Sequence, residues 1–258
     1  MYVSTLSEGT FGEKRFREVV ITNGVLGRVE PKALLGSVLS LQEIDLESNY
    51  LTYFPAEEIP LYTNLESLNL RGNKLTSLAN ILSQTLMDVK LDGNPMGHVP
   101  VDFLQDVPEL QIFSCSSCGL TEIQTGTFTR GPQLRFVDLG YNELTFLPEG
   151  AFDLAPFDSM LVLSDNKLSS VAKGAINGVT FELEIQDNQF EQLYEDVWRP
   201  VFENTTNVSL YKNPLLCDCD TAWLITDQDI VYKYLGIGDC KNGTYFHELD
   251  PAYYEEMC

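Results

Sequence analysis

Leu41-Gln42-Glu43-Ile44-Asp45-Leu46-Glu47-Ser48-Asn49-Tyr50-Leu51 recurs as Leu65-Glu66-Ser67-Leu68-Asn69-Leu70-Arg71-Gly72-Asn73-Lys74-Leu75, and again as Leu134-Arg135-Phe136-Val137-Asp138-Leu139-Gly140-Tyr141-Asn142-Glu143-Leu144. The shared template is LxxLxLxxNxL. Its Asn position falls again at Asn94, Cys118, Asn166, Asn188 and Asn213, and upstream at Gly24, with successive spacings of 25, 24, 21, 24, 24, 24, 22 and 25 residues. Alternation of Ile44 with Leu46, or Val137 with Leu139, places both side chains on one face of a short strand. One repeat cannot bury that face alone, so the repeats are expected to stack into a parallel sheet with a continuous core. The ladder Asn sits where the chain turns inward, and its amide is expected to satisfy turn backbone groups. Leu147-Pro148-Glu149-Gly150-Ala151-Phe152, Ile123-Gln124-Thr125-Gly126-Thr127-Phe128 and Val99-Pro100-Val101-Asp102-Phe103-Leu104 read as the return path that packs the convex side.

The departures predict local irregularity. Asp158, Thr180 and Thr205 occupy the first apolar position of three late repeats, where Phe157, Val179 or a shifted neighbour is expected to compensate. Met1 aligns with an Asn position and Leu6-Ser7-Glu8-Gly9-Thr10-Phe11 with a return path, so the chain is expected to open in mid-repeat, with an upstream portion outside it.

Six cysteines divide into Cys115 and Cys118 inside a repeat, and Cys217, Cys219, Cys240 and Cys258 beyond the last strand. Spacing alone allows three pairings of the last four. The stretch Asn213-Pro214-Leu215-Leu216-Cys217-Asp218-Cys219-Asp220-Thr221-Ala222-Trp223-Leu224, closed by Cys240 and Cys258, resembles the C-terminal cysteine cap of extracellular leucine-rich-repeat proteins. With the repeat period and return path, the resemblance extends to the repeat domains of Slit, Toll-like and variable lymphocyte receptors. It implies pairing of Cys217 with Cys240 and Cys219 with Cys258, and an α/β leucine-rich-repeat solenoid over residues 1–213 closed by a cap over 214–258. Trp223 and Leu224 are expected to cover the open apolar end of the last repeat. Disulfides persist in oxidising compartments, so the implied location is extracellular, secreted or on a cell-surface ectodomain. Sequons at Asn204, Asn207 and Asn242 agree, with Asn207 expected on the sheet face itself. Zinc is disfavoured, because a CxC pair flanked by Asp and lacking His is a poor structural zinc signature. Cys115 takes an inward strand position and Cys118 the ladder position; buried, inert thiols are expected there, with a short-range disulfide as the alternative. Redox chemistry is disfavoured, since a reactive CxxC opens a helix and this pair leaves a strand.

The 258 residues carry 16 Lys+Arg against 38 Asp+Glu, a formal charge of −22, and 44% are hydrophobic. Wholesale disorder is thereby excluded. A basic surface for displacing nucleic-acid counterions is missing, so no nucleic-acid partner is expected. No apolar run is long enough for a membrane helix, and Met1 to Glu8 lacks the features of a signal peptide, so any anchor or export signal is expected outside this chain. The two histidines, His98 and His247, lie in unrelated segments, and no nucleophile-base pairing or HExxH motif appears. Gly236-Ile237-Gly238 is a lone GxG that reads as a turn in the cap. The chain is therefore expected to be no enzyme, with no cofactor and no metal.

What remains is the outward face of the sheet, where twelve acids face five bases at the template positions. Asp45, Glu47, Asn69, Lys90, Asp138, Tyr141, Met160, Val162, Glu184 and Tyr211 are the candidate ligand-binding residues. Phe136, Tyr141, Met160, Val162, Phe181 and Tyr211 form an apolar strip across the late repeats, where aromatics mark an interaction hot spot. Family membership implies a protein-protein recognition module, here a receptor or adhesion ectodomain binding a basic protein surface through its concave face. The alternatives are a matrix protein that self-associates through its edges, and a targeting module of a larger enzyme.

Overall fold

A computed structural model describes residues 3–258 except 105, 130, 228 and 231–237. Gly236 and Ile237 of the GxG turn lie outside the described residues. Three-residue strands stack in chain order into one nine-stranded parallel sheet. They are β1 (Glu18–Val20), β2 (Glu43–Asp45), β3 (Ser67–Asn69), β4 (Asp88–Lys90), β5 (Ile112–Ser114), β6 (Phe136–Asp138), β7 (Met160–Val162), β8 (Glu182–Glu184) and β9 (Asn207–Ser209). The register aligns Val19, Ile44, Leu68, Val89, Phe113, Val137, Leu161, Leu183 and Val208 in one row, and every one of them is buried. Leu46, Leu70, Cys115, Leu139 and Ile185 form the next buried row. Period-2 alternation thus builds a core running the length of the solenoid.

The ladder carries the turns. Asn142 Nδ2 donates to the carbonyls of Cys115, Leu139 and Gly140, while its Oδ1 accepts from the backbone N–H groups of Cys118 and Leu120. Asn49, Asn73, Asn94, Asn166, Asn188 and Asn213 make the same two-way link to the repeat before them. At position 118 the side chain is a sulfur, and it is bonded to Cys115 with the two Cα atoms 5.5 Å apart. This corrects the expectation of free thiols. Strand and turn bring an inward pair three residues apart to an ordinary disulfide span.

Phe103, Phe128 and Phe152 of the return path meet Phe113 of the sheet row in one aromatic chain, Phe103–Phe113 edge-to-face, Phe113–Phe128 tilted and Phe128–Phe152 stacked, with centroids 6.3, 5.4 and 5.3 Å apart. The late repeats are irregular for a specific reason. Val179 fills its position, but Phe157 is 77% exposed and compensates for nothing. Buried Ser159 takes that place, with its hydroxyl donating to the Gly178 carbonyl and accepting from the Thr180 N–H. The repeat spacing of 22 residues brings Gly178 (φ 76°) so near that a Cβ there would lie 2.0 Å from the Leu154 carbonyl oxygen. Thr205 is buried and donates to the Val179 and Val201 carbonyls.

Beyond the sheet, helix α1 (Glu195–Asn204) packs an aromatic chain of Phe190, Trp198, Phe202 and Trp223 in successive edge-to-face contacts. Trp223 lies in α2 (Ala222–Thr226), donates its indole N–H to the Leu193 carbonyl at 2.7 Å, and has Leu224 fully buried beside it. Cys217 bonds to Cys240, and Cys219 to Cys258. The latter bond ties down α3 (Pro251–Met257), from which Tyr254 donates to the Cys217 carbonyl. Among the described residues no helix is long and apolar enough to cross a membrane.

Candidate functional site: a groove in the concave face

In-register stacking sorts the exposed strand residues into rows. The first row runs Glu18, Glu43, Ser67, Asp88, Ile112, Phe136, Met160, Glu182, Asn207. It therefore holds an apolar segment of three adjacent strands, Ile112, Phe136 and Met160, with a carboxylate at each end. Beside it runs Val20, Asp45, Asn69, Lys90, Ser114, Asp138, Val162, Glu184, Ser209.

Charges on the two halves of the face are handled differently. Arg71 is ion-paired to Asp92 and Lys90 to Asp88. Asp92 also accepts from the Ser114 hydroxyl and the Ser116 N–H, and Asn69 donates to Glu47. At the far end Lys212 pairs with Asp187 at 3.0 Å. Arg17 and Arg135 donate to Gln42 and Gln111. The bases of the face are thus committed to neighbours other than Asp138 and Glu184. Burial pushes the Asp138 carboxyl up, and the Asp92 and Glu184 charges add to this; the Gly140 N–H, at 2.9 Å, and Arg71 pull it down.

Asp138, Tyr141, Met160, Val162, Glu184 and Tyr211 come together around one groove of about 510 Å³, joined by Phe136, Gly140, Ser164 and Gln186. Asp45, Glu47, Asn69 and Lys90 lie on earlier strands outside it. Asp45 and Asn69 have a local task as well, accepting from the N–H two residues on, as Asp138 does. Gly140 keeps the groove open, because a Cβ there would sit 3.3 Å from Asp138 Oδ1 and 3.5 Å from Ser164 Oγ. Tyr141 stands at the wall, 64% exposed, with φ 54°. The equivalent turn position is left-handed in the other repeats too, where Asn23, Ser48, Gly72, Gly93, Ser117, Asp165, Asp187 and Lys212 fill it, so this backbone shape belongs to the repeat and only the side chain is particular to Tyr141. Gly140, Ser164 and Gln186 of the groove were missed as site residues by sequence reasoning. Their template positions were legible, whereas their depth was not.

Among the described residues no group of three or more His, Cys, Asp or Glu is placed to hold a metal ion. The structure offers a sculpted surface with acceptors and aromatics.

Comparison with known proteins gives consistent results. A family model described as Leucine Rich Repeat matches residues 64–84. The Oplophorus-luciferin 2-monooxygenase non-catalytic subunit of Oplophorus gracilirostris is 38% identical over 260 residues, covering 99% of this chain and 72% of that protein. Leucine-rich repeats and immunoglobulin-like domains protein 3 of Homo sapiens is 28% identical over 131 residues, covering 50% of this chain and 12% of that protein. A chain from a complex of Latrophilin 3, Unc5D and FLRT2 superposes with TM-score 0.77 at 22% identity, covering 91% of this chain and 74% of that one. A chain of a TLR13–ssRNA13 complex superposes with TM-score 0.68 at 21% identity, covering 78% of this chain and 29% of that one. These two share the fold.

Proposed function

The chain belongs to the leucine-rich-repeat family, and we propose that it is an extracellular protein-recognition module whose residues 1–213 present a docking face, closed by a cap over 214–258. The observation that carries this reading is the groove itself, an apolar floor flanked by Asp138 and Glu184, neither of which is ion-paired with a base of the face among the described residues. A protein partner with an apolar anchor and a basic rim fits it. Three disulfides support the oxidising compartment. In this reading Asn204, Asn207 and Asn242 carry N-glycans, and the one on Asn207, exposed on β9, bounds the docking face. One neighbour in fold was solved with single-stranded RNA. The acidic face here repels a polyanion, so nucleic acid is not the partner we propose. The chain carries out no catalysis.

A second reading is favoured by the 38% identity to a non-catalytic enzyme subunit. In it the docked protein is itself an enzyme, and this chain stabilises or delivers it.

Site-directed photocrosslinking in the native secreted mixture tests both. A photoreactive residue at Val162 is expected to give a protein adduct that disappears at high salt, while one at convex Glu149 gives none. Adducts from Glu149 alone, or from neither position, would refute the docking face. Identification of the adduct as an enzyme selects the second reading.

A further inference from the structure

Within the groove, two carboxylates and one amide have acceptor capacity beyond the hydrogen bonds they make. Asp138 and Glu184 lie on β6 and β8, either side of Val162 on β7, so their Cα atoms are separated by two strand spacings, roughly 10 Å. Asp138 Oδ1 takes the Gly140 N–H; Arg71 and Lys90 pair on earlier strands, and Lys212, which lines the groove's far wall, pairs there with Asp187 and not with Asp138 or Glu184. The third acceptor is Gln186. Its side chain is more than nine-tenths buried and lines the groove, and Nε2 donates to Glu184 Oε2 at 3.0 Å. A carboxylate only accepts, so the atom facing it is the NH2, which fixes the amide orientation. Gln186 Oε1 is then a buried acceptor without a hydrogen-bond partner. It lies beneath the groove surface, closed to any water-sized group, so what Gln186 offers an occupant is the Glu184 carboxylate that its Nε2 holds in place.

We propose that this groove is a slot for a single arginine side chain of the partner, with the guanidinium bridging Asp138 and Glu184 and its alkyl stem lying on Val162 and Met160. The choice of guanidinium over ammonium follows from the spacing. A planar fork with five donors reaches acceptors on two strands at once, whereas a compact ammonium with three donors engages one cluster. Tyr141 at one wall is an aromatic on which a guanidinium can stack, while at the other wall the Lys212 ammonium lies over the Tyr211 ring, 5.9 Å from its centroid. Gly140 and Ser164 leave the room that a larger pair would fill.

This assignment rests on the groove being the docking surface, and its test separates the two. Capped acetyl-Leu-Arg-Leu-amide is titrated into the intact chain, with the Met160 methyl resonance as readout, beside its lysine and citrulline counterparts. The arginine peptide is expected to bind saturably, the lysine form about tenfold more weakly, and the uncharged citrulline form roughly tenfold to a hundredfold more weakly. Glu184→Gln is expected to lose a similar factor and the convex control Glu149→Gln none, with unchanged melting temperatures showing that both fold. Equal binding of arginine and citrulline, equal binding of arginine and lysine, or an unaffected Glu184→Gln would overturn the slot. If the arginine peptide fails to bind while a crosslinker at Val162 still captures a protein, the slot is wrong and the docking face stands. Failure of both removes the face.

Discussion

Asn142 shows how much of the architecture one side chain can hold. Its amide joins three carbonyls to two N–H groups across the turn from β5 to β6, in a site closed to water. Asn142→Ala strips donors and acceptor together, and each buried group left unpaired costs about 1–3 kcal/mol. A loss of about 3 kcal/mol or more is expected in urea unfolding; a loss under about 1 kcal/mol would mean that water takes over the ladder. Asp138 behaves oppositely. Its carboxyl is pushed up by burial first and then by Asp92 and Glu184. The native state therefore holds a proton more tightly than the unfolded chain does. Below the unfolded carboxylate pKa both states are protonated and the penalty is absent; it grows as pH rises through the folded value and is complete at neutrality. Asp138→Asn keeps the bond from the Gly140 N–H and removes the charge. It is expected to raise the melting temperature at pH 7, with the gain fading below about pH 4. A variant that melts lower at pH 7 would show that Arg71 outweighs burial.

At the scale of elements, the solenoid couples each repeat only to its neighbours, so damage is expected to stay local. Trp223 tests this. It closes the aromatic chain that begins at Phe190 and holds the Leu193 carbonyl. Trp223→Ala is expected to cost about 3–5 kcal/mol in the last turns. Amide exchange should accelerate over 183–215 while 41–75 stays protected; uniform acceleration would mean that the chain unfolds as one unit. The same locality explains what could be read from the residues. Leu46, Leu70 and Leu139 were legible as one core row because period-2 alternation and the ladder Asn are short-range signals. The Cys115–Cys118 bond was not, since an inward direction says nothing of sulfur-to-sulfur distance. Phe157 misled because apolarity alone selected it, whereas the gap is filled by Ser159, a small hydroxyl that bonds the Gly178 carbonyl and the Thr180 N–H of the next repeat. The groove was half legible. Tyr141, Met160 and Val162 follow from the template, but the pairing of Arg71 with Asp92 spans 21 residues. Such cross-repeat commitments decide which acids remain free.

At the scale of the whole molecule, −22 charges are folded into one solenoid. Several of its ion pairs are exposed at both partners, as with Lys167 and Glu143 or Lys173 and Asp196, and exposed pairs contribute little, about 0–1 kcal/mol each. Repulsion among the unpaired acids acts on every repeat and is felt less by the expanded unfolded chain. Salt weakens both terms, yet they have different reach. At about 0.01 M ionic strength the screening length is about 30 Å, so acids several repeats apart repel; at about 0.15 M it is about 8 Å and only near neighbours do. Pairs in contact are screened far less than repulsion across that range. Stability is therefore expected to rise with salt between these concentrations, seen as a higher urea midpoint in sodium chloride. The same rise should appear with sodium bromide, because screening depends on ionic strength and hardly on the anion. A midpoint that falls with salt would mean that the exposed ion pairs outweigh the net charge, and the face could not then be treated as a field waiting for a basic partner.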